Sequence, residues 1–480
     1  MTDTTATSGG RIVLMSNGAV LSGQTVLDDA TVQLRGLGSY IIDQAVVNGG
    51  TFNLTSNTVA SLQKGAALDK TVGHSLTINS LSGAASFIIN TDLANSQADQ
   101  IAITSGTAQH TLQVAYDPLY DTGSSINGVS ASFAHVADGT TFTAVSTEYG
   151  AYRYTPTLEA DAQGTNWSIT GLTQNGSSET AYTASGMAAG NLMLWRWENN
   201  CLNSRMGELR NKDVNPGDWV RIYKGEHEMT GLEDRRATQK YTSFQYGHDK
   251  VVQMSGRTWH AGYTVGFTDA NNTLSRGEGD STSLSVGAYA TWLGDKGHYL
   301  DLVVKQGRLN TSYDSYLNNS AQTKVSGSYH NWGTSASAEY GYRKALPGGW
   351  YVEPQAEVIL GRISSANYTT SDSTSVNHDA MNSVIGRLGL SAGRSLGNSN
   401  LYAKASIFRE LSAKSRVTMS TNNLGAVTLE QDLKQNWLEF ALGLTRQLKD
   451  NTNSYMEISR TTGEKVKTPW RVNLGVRWGF

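Results

Sequence analysis

The sequence predicts an all-β protein of two units joined by one helix, and three observations carry the prediction. The first is composition: 50 Gly and only 6 Pro beside 22 Tyr and 11 Trp favour many turn-linked strands over helices. The second is a change of alphabet. Text rich in Gly, Ser, Thr and Asn gives way to alternating strands rich in Tyr and Trp. The third is the stretch where the change falls, residues 192–210, LMLWRWENNCLNSRMGELR. In it Leu192, Trp195, Leu202, Met206 and Leu209 recur at helical spacing with no proline between them.

Bulk properties narrow the function classes. A chain of 480 residues holds two or three domains. A net charge of −3 supplies neither a basic field for nucleic acid nor an acidic tail, so no nucleic-acid partner is expected. No run of eighteen apolar residues occurs, which excludes a helical membrane protein but not a membrane β-barrel. Cys201 stands alone, so there is no intrachain disulfide, and a thiol-based metal site is not expected. The start, MTDTTATSGG, lacks the charged and apolar regions of a signal peptide; if the protein is exported, the sequence is expected to be a fragment.

In the upstream unit, short alternating runs at 11–15, 31–34 and 51–54 are separated by turns such as Asn17-Gly18 and Asn48-Gly49. Their spacing, near 20 residues, suits the coils of a parallel β-helix, each burying its apolar face only by stacking on the next, with a sandwich as the competing reading. About three rungs fit before residue 75. His74, His110 and His135 show no metal-ligand spacing, and neither G-x-S-x-G nor H-E-x-x-H occurs. No cofactor, metal or catalytic constellation is expected. Gly279-Asp280-Ser281, farther down the chain, reads as a loop.

The 192–210 helix is a rod of roughly 30 Å, close to the thickness of a bilayer hydrocarbon core. Arg196, Glu198, Asn199, Asn200, Asn203, Arg205, Glu208 and Arg210 forbid contact with lipid, so at that depth it needs a polar tube around it. The downstream unit supplies one. In its last strand Trp470, Val472, Leu474, Val476, Trp478 and Phe480 fall on one parity, and Arg471, Asn473 and Arg477 on the other. Twelve such runs are expected, near 218–226, 238–248, 256–267, 281–292, 297–308, 327–343, 350–363, 383–395, 401–411, 436–447, 453–461 and 469–480. The number is even, as bacterial barrels require.

Two sets of motifs resemble a known family. SLTINSLSGAASFIINTDL, DQIAITSGTAQHTLQVAYD and TFTAVSTEYGAYRYTPTLEADAQGTNWSITGL are similar to the passenger end, or autochaperone, of pertactin-like monomeric autotransporters of the type V secretion class. Leu76, Ile78, Phe87, Ile89, Leu112, Val114, Tyr152, Tyr154, Trp167 and Ile169 would be its core. NSRMGELR, HYLDLVVK, AEYGYR, VEPQAEV, SVIGRLGLSAGRSL, LYAKAS and TPWRVNLGVRWGF resemble successive blocks of the autotransporter translocator, in order. The resemblance implies a truncated right-handed parallel β-helix (1–74), an autochaperone-like cap (75–190), a pore-threading helix (191–213) and a twelve-stranded outer-membrane β-barrel (214–480). It implies a bacterial outer-membrane location with the passenger at the cell surface. Outer-membrane lipid, the barrel-assembly machinery, periplasmic chaperones and a host or bacterial surface ligand for the full passenger are the implied partners. Trp478 and Phe480 match the assembly signal of such barrels.

The resemblance also singles out the junction. Asn200, before Cys201, matches the scissile asparagine of relatives that cut themselves inside the barrel, although they tend to carry Asn or Ala where Cys201 stands. The chemistry needs asparagine: its side-chain amide nitrogen attacks its own backbone carbonyl, closing a succinimide and expelling the next residue as a new N-terminus. Asp301 matches the carboxylate that acts as base, and Glu339 and Glu357 match supporting lumen carboxylates; the alternative for all three is an ordinary lumen charge paired with Arg or Lys. This would be one intramolecular turnover, not a conventional enzyme. Two functions stay open at this point: a translocator that carries its passenger, with or without self-cleavage, and a surface adhesin with an uncleaved β-helix and the barrel only as anchor. A pore-forming channel is the weaker third, because the helix should plug the pore.

Overall fold

The computed structural model describes residues 3–57, 68–203, 216–294, 296–421, 425–449 and 451–480, with 200–203 described by backbone alone. The upstream unit is a stack, not a sandwich. Six strands, Thr4–Thr7, Val20–Asp28, Gly38–Asn48, His74–Ser82, Gln100–Ile103 and Ile126–Val136, pair in parallel along one face. Arg11–Leu14, Thr31–Leu34, Gly50–Asn53, Ala85–Asp92, Gln109–Tyr116 and Thr141–Val145 do so along a second. Partners such as Thr4 and Thr25 or Val26 and Val46 lie one coil apart, the interval read from the sequence.

Stacking puts like beside like. Val32, Phe52, Phe87 and Leu112 form one buried column, with the Phe52 and Phe87 rings 5.2 Å apart. Tyr40 with Leu76, and Ile42 with Ile78 and Ile103, form others. His110 joins the core: its Nδ1 accepts from the Ala85 N–H at 3.1 Å, and burial pushes its pKa down to about 4.

Three rungs precede residue 74, and the same parallel winding continues for three more before the chain reverses. Ile126–Val136 pairs antiparallel with Asn166–Ser177, which pairs with Tyr152–Ala160, which pairs with Thr147–Tyr149. These strands cover the edge of the last rung, which would otherwise present unpaired backbone. The ten core residues expected here lie in the core, nine buried and Trp167 packed against them.

The downstream unit is a closed ring of twelve antiparallel strands: Gly217–Thr230, Arg236–Met254, Arg257–Leu274, Gly277–Leu293, His298–Tyr316, Lys324–Tyr342, Trp350–Ile363, Met381–Leu396, Ser399–Glu410, Asn436–Lys449, Thr452–Thr462 and Val466–Gly479. The first and last pair through Val220 with Val476 and Ile222 with Leu474, which closes it. Parity is as read: Phe244, Val286, Leu360, Leu442 and Leu474 are exposed outward, while Arg221, Ser283, Asp301, Glu439 and Arg471 are buried inward. Among the described residues no helix is long and apolar enough to cross a membrane. The strands do the crossing.

Two readings are corrected, and one element is new. The helix, α1, runs Glu179–Asn203, so it starts thirteen residues before 192; residues 204–210 lie outside the described ones. Its first half, ETAYTASGMAAGN, is made of small residues without apolar periodicity and reads like the passenger text beside it. Gly279-Asp280-Ser281 is not a loop but lies inside the fourth barrel strand, because several strands rise well past the expected apolar band. A four-stranded sheet, Ala366–Thr369, Thr374–His378, Lys414–Thr421 and Ala426–Asp432, has no counterpart in the sequence reading; it rises from the turns after the seventh and ninth barrel strands and meets the cap.

The parity generates a test. Leu442→Arg, on the outward face of the tenth strand and 66% exposed, should destabilise the barrel refolded in lipid vesicles by about 2–4 kcal/mol if it sits near mid-depth. Inward Ser283→Ala should change it far less.

Candidate functional site

The site is the lumen and the helix it holds. α1 begins where the cap sits on the barrel rim. Glu148 of the cap accepts from the backbone N–H of Glu179 at 3.0 Å and from that of Asn318, in a barrel turn, at 2.8 Å. One carboxylate thus satisfies a donor at the start of the helix, where its charge also suits the helix dipole, and fastens the barrel turn to it. Burial pushes the Glu148 carboxyl above its ordinary pKa. Glu179 pairs with Arg235, Ala151 N–H donates to Thr421 Oγ1 at 3.2 Å, and the Tyr152 hydroxyl donates to the Gly425 carbonyl.

Small residues let the helix thread a lumen already lined with side chains. At Gly190 a Cβ would lie 3.1 Å from Asn272 Oδ1, and Gln239 Nε2 donates to the Gly190 carbonyl at 3.1 Å. The Asn191 amide donates to Thr311 Oγ1 at 2.9 Å and accepts from Ser281 Oγ at 3.2 Å. Trp195 is the largest insertion. Its ring lies against paired Gly307 and Gly333 on neighbouring strands, where a Cβ would come within 3.2 and 2.8 Å of it. Only glycine leaves that room. Lys305 Nζ covers the ring at 4.7 Å.

Lower on α1 the contacts become ionic. Arg196 donates to Glu410 at 2.7 Å, Glu198 pairs with Lys305, and Asn199 Oδ1 accepts from Ser335 Oγ at 3.0 Å. Trp197 stacks on His227 at 5.3 Å, with the Arg471 guanidinium 4.9 Å from its ring. Breaking one such buried pair strands the other charge and costs about 3–5 kcal/mol.

Below these contacts lies a row of charge. The register places Asp301 opposite Glu339, Glu339 opposite Glu357, and Glu357 opposite Arg387, across four adjacent strands and all facing inward. Arg387 donates to both Glu339 and Glu357 at 3.2 Å; Tyr299 donates to Glu339, and Thr291 to Asp301. Lys305 and Ser335, which meet Glu198 and Asn199, stand four residues from Asp301 and Glu339, about 13 Å along each strand. The three carboxylates named from the sequence therefore share one row. The α1 backbone includes Asn200 and Cys201, whose side chains lie outside the described residues. Sequence reading missed Arg387 and Glu410, although Arg387 stands within the SVIGRLGLSAGRSL block; alternation shows that a charge faces inward, but not which partner the register sets beside it.

At the opposite rim, Phe480 is exposed, its N–H donates to the Pro216 carbonyl at 3.0 Å, and its ring stacks over His248 at 6.1 Å. Trp478 faces outward beside it.

Comparison with known proteins agrees with this geometry. The family model described as the autotransporter beta-domain matches residues 219–459, and the pertactin model matches residues 49–171. The BrkA autotransporter of Bordetella pertussis is 30% identical over 422 residues, which are 84% of this chain and 40% of the relative. The pertactin autotransporter of Bordetella bronchiseptica is 31% identical over 293 residues, 60% of this chain and 31% of the relative. The chain thus spans well under half the length of either. The translocator domain of the autotransporter NalP from Neisseria meningitidis shares the fold, with a TM-score of 0.50 and 15% identity over 63% of this chain and 99% of that one.

If α1 plugs the lumen through Trp195, Gly333→Val should push the ring from its seat and raise single-channel conductance in planar bilayers. Deleting residues 192–210 should raise it further. Equal conductance in all three proteins would count against the plug.

Proposed function

The chain belongs to the autotransporter beta-domain family, whose model covers just over half of it, and from that membership we propose that the barrel translocates its β-helical passenger and then cuts the junction from within. The barrel is an outer-membrane domain with its passenger at the cell surface. The observation supporting cleavage is the row Asp301, Glu339, Glu357 and Arg387, toward which the ionic end of α1 points.

The proposed step balances within the chain. Asn200 Nδ2 attacks the Asn200 carbonyl carbon and the bond to the Cys201 nitrogen breaks. Asp301 takes a proton from the amide and hands it to the departing nitrogen of Cys201, which leaves as an amine, and a succinimide remains at Asn200. General-base assistance supplies a factor of about 10²–10⁴, and orientation in a narrow lumen adds to it. Glu339 and Glu357, held by Arg387, keep the row aligned. Trp478 and Phe480 present the last strand to the barrel-assembly machinery after periplasmic chaperones deliver the chain.

A second reading, an uncleaved surface adhesin for which the barrel is only the anchor, draws on the seam at Glu148, Ala151 and Tyr152, which fastens the cap to the rim. Any host or bacterial ligand would then meet the lateral faces of the stack.

One experiment separates the readings. The exported chain should split between Asn200 and Cys201, leaving a barrel fragment whose N-terminal sequence begins at Cys201. Asn200→Asp, which removes the amide, and Asp301→Asn, which removes the base, should leave the chain intact with the barrel still assembled; Cys201→Ser should matter far less. Cleavage that survives Asn200→Asp, or begins elsewhere, overturns the mechanism, and an intact wild-type chain supports the adhesin.

A further inference from the structure

The outer wall carries a pattern that neither translocation nor cleavage uses. Odd-numbered barrel strands run from the rim of Phe480 toward the rim where Glu179 and Arg235 meet the cap. On five of the six, the outward face passes from apolar residues to a cation near that upper rim: Ile222 then Lys224, Val304 then Gln306 and Arg308, Leu360 then Arg362, Ile407 then Arg409, and Ile458 then Arg460. The third strand differs, with Phe267 followed by Asp269. All five cations are exposed.

The arginines at the opposite rim lie differently. Arg257 covers the Trp292 ring at 4.9 Å and Arg394 the Trp350 ring at 5.4 Å. At the upper rim, Arg362 donates to Asn382 Oδ1 at 3.0 Å, and Arg308, Arg409 and Arg460 meet no carboxylate or ring among the described residues. Arg409 lines the upper part of an outward, mostly apolar groove of about 690 Å³ that extends down the wall past Ile407, Leu388, Val358, Tyr340 and Leu300, with Glu357 and Arg387 reaching its inner side. Gly386 has open space where a side chain would stand.

One outward guanidinium at the apolar groove, with three more exposed along the same upper arc, matches a molecule with phosphates at its head and acyl chains below, since Arg pairs bidentately with phosphate and cations at a membrane boundary attract anionic headgroups. We propose that the arc from the fifth to the eleventh strand binds phosphorylated lipid of the outer leaflet, with Arg308, Arg362, Arg409 and Arg460 on the phosphates and an acyl chain in the groove below Arg409. This rests on the outer-membrane location. The arc stops where Asp269 and Asp280 turn the third and fourth strands acidic.

The test uses the full chain in nonionic detergent and a bisphosphorylated, acylated disaccharide lipid as probe. Bound lipid is counted by native mass spectrometry, and stability is followed through heat-modifiable migration on gels. The probe should bind and raise the unfolding temperature. The same lipid stripped of its phosphates should bind about tenfold more weakly or worse, and inorganic phosphate should neither stabilise nor compete at equal concentration. The quadruple variant R308Q/R362Q/R409Q/R460Q should lose the preference, whereas the corresponding four Arg→Lys changes should keep most of it. Equal binding of the stripped lipid, or a Gln variant that keeps the preference, overturns the proposal. If the Gln variant fails to assemble, the two lipids on the unaltered chain decide alone. Heat-modifiable migration without added lipid tests the barrel separately.

Discussion

Hydrocarbon offers no partner to a backbone N–H, so strands that cross it must pair on both sides until the ring returns to its start. That closure, made where Gly217–Thr230 meets Val466–Gly479, sets the chemistry of both faces of the wall. A closed ring of alternating strands has a lipid face and a lumen face, and every second residue is committed to one of them. Phe244, Leu360 and Leu442 are exposed because the solvent they face is apolar; Arg221, Glu439 and Arg471 are buried because the lumen is the only polar place left.

A lumen filled with charges then requires a partner of matched chemistry. α1 provides it in graded form, from small residues at the capped rim, through Trp195 seated on two glycines, to Arg196 and Glu198 paired with Glu410 and Lys305. Each buried charge is costly alone and tolerable in its pair, so the ionic contacts fix how far the helix descends more than they add stability. Depth matters for function. It sets which part of α1 approaches the row of Asp301, Glu339 and Glu357, and in the cleavage reading that row is where the passenger is released.

The seam at the upper rim joins the two units. The stacked rungs end in an antiparallel cap, and the cap meets a sheet raised from two barrel turns, with Glu148 tied to the start of α1 and to a third turn. The passenger end is therefore fastened both to the rim and to the helix below it.

Much of this was legible in the sequence, because period-two alternation and a 20-residue interval are local patterns enforced by one face of each strand being buried. They carried the twelve barrel strands in order and the parity of Asp301, Glu339 and Glu357, while recurrence at helical spacing marked a helix at Trp195; that Ile78 and Phe87 stand in columns came only from the register of the stacked rungs. Other features depend on residues far apart in the chain. The first half of α1 has no apolar stripe because it is buried on every side, and the sheet of Ala366–Thr369, Thr374–His378, Lys414–Thr421 and Ala426–Asp432 pairs strands from two separate barrel turns. Alternation could say that Glu357 faces inward. Only the register of strands closing on themselves could set it between Glu339 and Arg387, since strand pairing and ring closure fix a neighbour that no stretch of sequence contains.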